Sequence, residues 1–163
     1  MTHPARSPNI IWIFGDQHRA QATGYEGDPN VKTPNLDQLA AEALLPQGVA
    51  GCPLCSPYRG SLLTSRYPHV CVPGHGHPLP EGIPTVADEF RNAGYDTAWF
   101  GKWHVGGVKA VRGRLTLATV PMSRRGGFQR WIGYDNNNSQ YDTWVHGHDE
   151  DGNEIPHFRL NGY

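Results

Sequence analysis

Two short apolar runs frame this chain. Asn9-Ile10-Ile11-Trp12-Ile13-Phe14 is continuous, rich in β-branched residues, and leads at once into Gly15-Asp16-Gln17-His18-Arg19. Tyr95-Asp96-Thr97-Ala98-Trp99-Phe100 leads into Gly101-Lys102-Trp103-His104. The first reads as a strand buried on both faces, the condition of a parallel sheet lying between helices. Strands alternating with helices predict an α/β fold with a mostly parallel sheet flanked by helices. In such sheets ligands bind outside the carboxyl ends of the strands, so Asp16, Gln17, Lys102 and His104 are candidate site residues. Asp16 taken alone is equally at home capping a turn.

The helices come from capping signals. Thr33 and Pro34 open one, with Leu36, Leu39, Ala40, Ala43 and Leu44 on one face and Pro46 and Gly48 closing it. Its apolar face predicts packing on the sheet. Val49-Ala50-Gly51 reads as a short further strand. Residues 67–84 are rich in Pro, Gly and His without periodicity and read as an irregular loop. Thr85 opens another helix as a capping box with Asp88, with Val86, Phe90 and Ala93 inward and Gly94 as terminator. Beyond Gly107 the pattern weakens. Arg112, Arg114, Arg124, Arg125 and Arg130 read as a solvated basic face, residues 141–145 as a strand, and residues 148–153 as a polar turn. His69, His75, His77, His146, His148 and His157 read as loop histidines, and Tyr58 and the tryptophans as core or pocket wall.

The chemistry concentrates in Cys55-Ser56-Pro57-Tyr58-Arg59-Gly60-Ser61-Leu62-Leu63-Thr64-Ser65-Arg66. Ser56 is a preferred N-cap, and Pro57 at the first helical position loses no hydrogen bond. Cys55 then stands in the positive field of a helix N-terminus, which favours an anionic nucleophile or ligand. Arg59, about one turn on, can reach the same anion. Tyr58, Leu62 and Leu63 form the inward side. If the strands are parallel, Asp16, Gln17, Lys102 and His104 meet this helix at one sheet edge. A carboxylate, a nucleophile, two cations and a histidine suit hydrolysis of an anionic ester assisted by a hard divalent cation, Ca²⁺ or Mg²⁺.

Cys-Ser-Pro-x-Arg followed by Leu-Thr-Ser-Arg resembles the sulfatase signature, within the alkaline-phosphatase-like superfamily. The resemblance runs from Pro8 to about Asn161 and implies that the chain is the N-terminal part of a longer catalytic domain, the fold being incomplete in this chain. It implies that Cys55 is converted to formylglycine by a formylglycine-generating enzyme, and that the aldehyde hydrate is both nucleophile and metal ligand. Asp16 matches a metal-binding aspartate and Arg59 the arginine that stabilises the hydrate. Lys102 and His104 match a Gly-Lys-Trp-His motif that binds sulfate and assists the nucleophile. Gln17, the second candidate metal ligand, departs from the Asp-Asp pair of many sulfatases and resembles the choline sulfatase and phosphonate monoester hydrolase branch. The implied function is hydrolysis of a sulfate ester: the hydrate attacks sulfur, the alcohol leaves, and the hemiacetal sulfate collapses to regenerate the aldehyde. The alternative is a phosphonate monoester or phosphodiester hydrolase with the same parts. The remaining metal ligands have no match here, so the isolated chain is expected to be inactive.

Composition bounds these readings. With 14 basic against 15 acidic residues among 163, nothing in the overall charge argues for nucleic acid or a membrane surface. No apolar run nears the ~20 residues of a membrane span, and Met1 to Pro8 is polar, which suggests the cytoplasm. Three cysteines do not suggest a disulfide framework. Cys52, Cys55, Cys71, His75 and His77 allow a rival reading, a zinc-stabilised binding module, and Cys52 with Cys55 a redox pair. Either leaves Asp16, Arg59, Lys102 and His104 unexplained. A catalytically dead family member acting as a binding protein is a third reading.

Overall fold

A computed structural model describes residues 7–137 and 141–160. The chain divides into two compact units, Met1–Gly48 and Val49–Tyr163.

In the first unit, α1 spans Pro34–Glu42, with Pro34 at its first position. The Thr33 hydroxyl does not cap it. Thr33 Oγ1 accepts from the Gly24 N–H at 2.7 Å and donates to Asp37 Oδ1 at 2.7 Å, and Asp37 also accepts from the Tyr25 N–H. The first turn is therefore tied to the loop before it. The helix ends at Ala43, before Pro46 and Gly48, and none of its residues is buried. Leu36 and Leu39, expected on a buried face, are exposed.

The expected strand 9–14 is also absent. A strand exists through the ladder it shares with a neighbour, and among the described residues no strand pairs with this run. Ile11 and Ile13 are 83% and 87% exposed. Residues 49–51, in the second unit, form no strand either.

The second unit holds the sheet. Helix α2 covers Cys55–Thr64 and starts earlier than its capping residues suggest: Leu54 is the N-cap and Cys55 the first helical residue. Ser56 does not cap because its hydroxyl is buried and accepts from the Gly76 N–H at 3.0 Å. Pro57 still loses nothing, since the first four helical N–H groups lack intrahelical partners. Ser56, Pro57, Arg59, Gly60 and Leu63 are buried, whereas Tyr58 and Leu62 are half-buried. Within the supposed irregular loop, Pro68–Cys71 forms the short helix α3. It packs so tightly on α2 that a Cβ at Gly60 would collide with Val72.

Helix α4, Val86–Asn92, carries the predicted capping box: Thr85 Oγ1 accepts from Ala87 N–H at 3.1 Å and Asp88 accepts from Thr85 N–H at 2.9 Å. Gly94, at φ +82°, follows its end. Its inward residue is Ala87; Val86 and Phe90 are half-buried and Ala93 is exposed, because the helix is too short to bury a full stripe.

Four strands follow: β1 Ala98–Lys102, β2 Arg130–Tyr134, β3 Trp144–His148 and β4 Glu154–Arg159. They pair in that order. β1 and β2 are parallel, joined by the long excursion between them, whereas β2–β3 and β3–β4 are antiparallel. The class is α/β with flanking helices, as expected, and the described sheet is mixed. Relative to the expected strands, β1 begins three residues later and takes in Lys102, β3 runs on to His148, and β2 and β4 were not foreseen. At its core Trp99, Trp103 and Trp131 meet edge to face, with centroids 5.0 and 6.1 Å apart, and Phe128 joins them.

Two basic readings are corrected here. Arg125 is not on a solvated face: it is wholly buried, its Nε donating to the Val120 carbonyl at 2.9 Å and its guanidinium lying over Trp131. His146 and His148 are not loop residues but buried strand positions of β3, and His157 is in β4.

Candidate active site

Three predicted residues, Cys55, Arg59 and Lys102, come together in the second unit. Cys55 opens α2, where the aligned peptide dipoles favour negative charge. Lys102 ends β1, and its Nζ lies 3.7 Å from Cys55 Sγ. Arg59, one turn into α2, is 4% exposed and its Nη1 donates to the Lys102 backbone carbonyl at 2.5 Å. Arg59 thereby fastens α2 to the end of β1. That contact holds the cysteine and the lysine in register.

His104 lies just beyond β1, is buried, and has φ +55°. A non-glycine residue in the left-handed region is disfavoured and needs its surroundings to hold it. Its neighbours show how this is done. The Trp103 N–H donates to the Tyr134 carbonyl at 2.7 Å, and the Gly106 N–H donates to Asp135 Oδ1 at 2.8 Å. The turn carrying His104 is thus pinned on both sides by the end of β2. Burial holds the Asp135 carboxyl above its ordinary range, while the Gly106 hydrogen bond and the Lys102 charge pull it back down.

Two residues around the His104 turn were not placed here by sequence, where His75 stood only as a loop histidine or a zinc candidate. Asp135 is one; only its place after β2, itself unforeseen, could have marked it. The other is His75, whose ring meets His104 edge-on at 4.8 Å. Residues 74–77 fold over the first turn of α2 through the Ser56–Gly76 hydrogen bond. The glycines beside His75 were the sole local signal of that turn.

Asp16 and Gln17 belong to the first unit, where both are exposed, Gln17 at φ +54°. Among the described residues no group of three or more His, Cys, Asp or Glu side chains is arranged to hold a metal ion. The zinc-module reading fails on the same observation and on Cys71, which is buried and donates to the Tyr67 carbonyl. All three cysteines are free thiols, so Cys52 and Cys55 are not joined.

Elsewhere in the second unit, a cleft of about 340 Å³ is walled by Arg114, Thr116, Asn136 and Asp142 among others. The Arg114–Asp142 ion pair, at 2.8 Å, lies within it.

The Sulfatase family model matches residues 8–153, and the chain belongs to that family. It is 40% identical over 153 residues to an ulvan-active sulfatase of Formosa agariphila, covering 84% of this chain and 28% of that protein. It is 35% identical over 161 residues to an endo-4-O-sulfatase of Bacteroides thetaiotaomicron, covering 80% of this chain and 32% of the relative. A crystal structure described as a sulfatase of Bacteroides fragilis superposes with a TM-score of 0.80 at 26% identity, over 100% of this chain and 38% of the other. The fold is thus the alkaline-phosphatase-like fold of sulfatases, represented here by part of a domain. The chain spans about a third of the length of these proteins.

Proposed function

We propose that the protein carrying this chain hydrolyses a sulfate ester, with the chain as the N-terminal part of its catalytic domain. The observation that supports this most directly is the pairing of Cys55 at the head of α2 with Lys102 at the end of β1, 3.7 Å apart. A small anionic ester drawn to that point would meet a helix N-terminus, an ammonium and the Arg59 guanidinium. Such preorganised positive groups act on charge that grows in the transition state, where they count most.

Sulfatases generally use a formylglycine and a divalent cation. On this reading Cys55 is matured by a formylglycine-generating enzyme, and the aldehyde hydrate supplies the nucleophile. The groups already in place divide the remaining work. Lys102 binds the sulfate oxygens, Arg59 steadies the hydrate while holding the lysine's backbone, and His104 exchanges a proton at the nucleophile. Asp16 and Gln17 are proposed as the chain's contribution to a Ca²⁺ or Mg²⁺ site, whose oxygen-rich shell needs further ligands. A cytoplasmic location belongs to the same proposal; no helix among the described residues is long and apolar enough to cross a membrane.

The test is the mass of the Cys55 peptide from active full-length protein, together with turnover of an aryl sulfate by Cys55→Ala. The expected results are an aldehyde in place of the thiol and loss of turnover. Sustained sulfate-ester hydrolysis with an unmodified thiol would remove the mechanism. Turnover of a phosphonate monoester with none of a sulfate ester would move the protein to the neighbouring reaction class.

A further inference from the structure

The sheet contains a histidine cluster that the proposed chemistry does not use. His146, on β3, is 1% exposed, and its Nε2 accepts from the Val120 N–H at 2.9 Å. Because the amide can only donate, the ring proton sits on Nδ1, which is buried without a hydrogen-bond partner among the described residues. The ring faces Trp131 on β2 at 5.2 Å and His157 on β4 at 4.5 Å between centroids.

The neighbouring charges are unfavourable to a second cation. Arg125 is wholly buried and already uses Val120 as an acceptor through its Nε. Its Nη1 donates to His148 Nδ1 at 2.8 Å, and His148 Nε2 donates in turn to the Phe128 carbonyl at 3.0 Å. Its counter-charge is Glu154 at 3.1 Å, which is more than half exposed. Two acids of the turn after β3 are engaged elsewhere, Asp149 with Asn153 and Glu150 with Arg130, and the third, Asp151, is exposed.

Both backbone groups of Val120 are therefore held by side chains, its N–H by His146 and its carbonyl by Arg125. We propose that His146 is an acid-released latch: neutral, it holds segment 118–128 against the sheet, and protonated, it lets that segment go. The reason is geometric. Protonation places an N–H on Nε2, directly opposite the Val120 N–H, so two donors face each other and the bond must break. The buried guanidinium and the His157 ring add to the cost, and a buried cation without a partner is strongly disfavoured.

The electrostatics agree in direction. Burial first, then His157 and Arg125, lowers His146 from 6.5 to about 4. A group depressed in this way binds its proton more readily when the segment is open. The latch is therefore fully closed above about pH 6.5 and progressively loses hold as the pH falls towards 4.

The segment matters to the candidate site. Val120 packs against Gly106, and Gly126 lies against Trp103, on either side of the turn that carries His104. Acid release would loosen that turn; this consequence rests on the sulfatase reading, whereas the latch itself does not.

The experiment is native-state amide exchange on the full-length protein between pH 7.5 and 5.5, corrected for intrinsic rates. The Val120 amide should lose protection about tenfold over this range. In His146→Gln, whose side-chain oxygen can still accept but cannot titrate, that dependence should flatten. An equal loss in the variant, or protection independent of pH in the wild type, would overturn the proposal. Should the variant fail to fold, the wild-type His146 ring signal decides. A ring that titrates well below 6.5 while Val120 protection already falls from about pH 6.5 supports the latch, and titration near 6.5 with the amide still protected refutes it.

Discussion

Residues 9–14 and 95–100 were read from the same kind of pattern, and the structure treats them in opposite ways. Both are short apolar stretches that run into chemistry-bearing residues. The second becomes β1, paired in parallel with β2 along its whole length, and its Trp99 is 8% exposed among Trp103 and Phe128. The first has no ladder neighbour among the described residues, and its isoleucines stand in solvent. Composition sets what a segment would gain from burial, roughly 25 cal/mol per Å² of apolar surface. Only a neighbour turns that into a strand, because the neighbour supplies both the hydrogen bonds and the cover.

The largest expected effect comes from attacking the segment that has its partners. Trp99→Ala should destabilise the chain by about 3–5 kcal/mol, since it empties the aromatic core under β1. Chemical denaturation of the chain reads this directly. A loss below about 1 kcal/mol would mean that β1 is held by its hydrogen bonds and not by its packing.

Next in size is the end of the same strand. Lys102→Ala in the full-length protein should lower sulfate-ester turnover by about 10²–10³, the usual cost of one preorganised contact to the transition state. Its stability should change little, because Lys102 is only half-buried and Arg59 binds its backbone carbonyl rather than its side chain. Near-normal kinetics would take the lysine out of the site and leave β1 as scaffold alone.

The smallest effect is expected in the first run. Ile11→Ser in this chain should change stability by no more than about 0.5 kcal/mol, as for other exposed positions. Repeating the substitution in the full-length protein sharpens the contrast. A cost above about 2 kcal/mol there, with none here, would show that a neighbour outside this chain completes the strand. A large cost in both would show that the run already has cover in this chain, and the comparison with β1 would fall.

How much was legible followed the range of the interactions involved. The α4 capping box was visible because Thr85 and Asp88 are three residues apart, and Gly94 marked the helix end through a conformation that glycine tolerates without strain. The Cys55 helix was visible for a similar reason, although its first residue was misplaced. The Ser56 hydroxyl was taken by Gly76, a partner twenty residues away, and no local rule could anticipate that competition. The same range effect hid the placement of His75 and Asp135 around the His104 turn, which they meet through the turn over α2 and through the end of β2.

By itself, then, the sequence determined the α/β class and the placement of α2 and α4, and it put forward Cys55, Arg59, Lys102 and His104 as candidates. Each of these is written in local spacing and in residue chemistry that survives in any surroundings. Tertiary structure alone decided which apolar run became a strand and that the sheet is mixed. It also decided that Arg125 and His146 are interior groups and not surface charge. Those outcomes depend on which backbone groups find partners across many residues, and on whether water is excluded once they do. An arginine or histidine reads the same in a sequence whether it ends in solvent or beneath a tryptophan. Only the fold sets the dielectric around it and fixes where its protons can go.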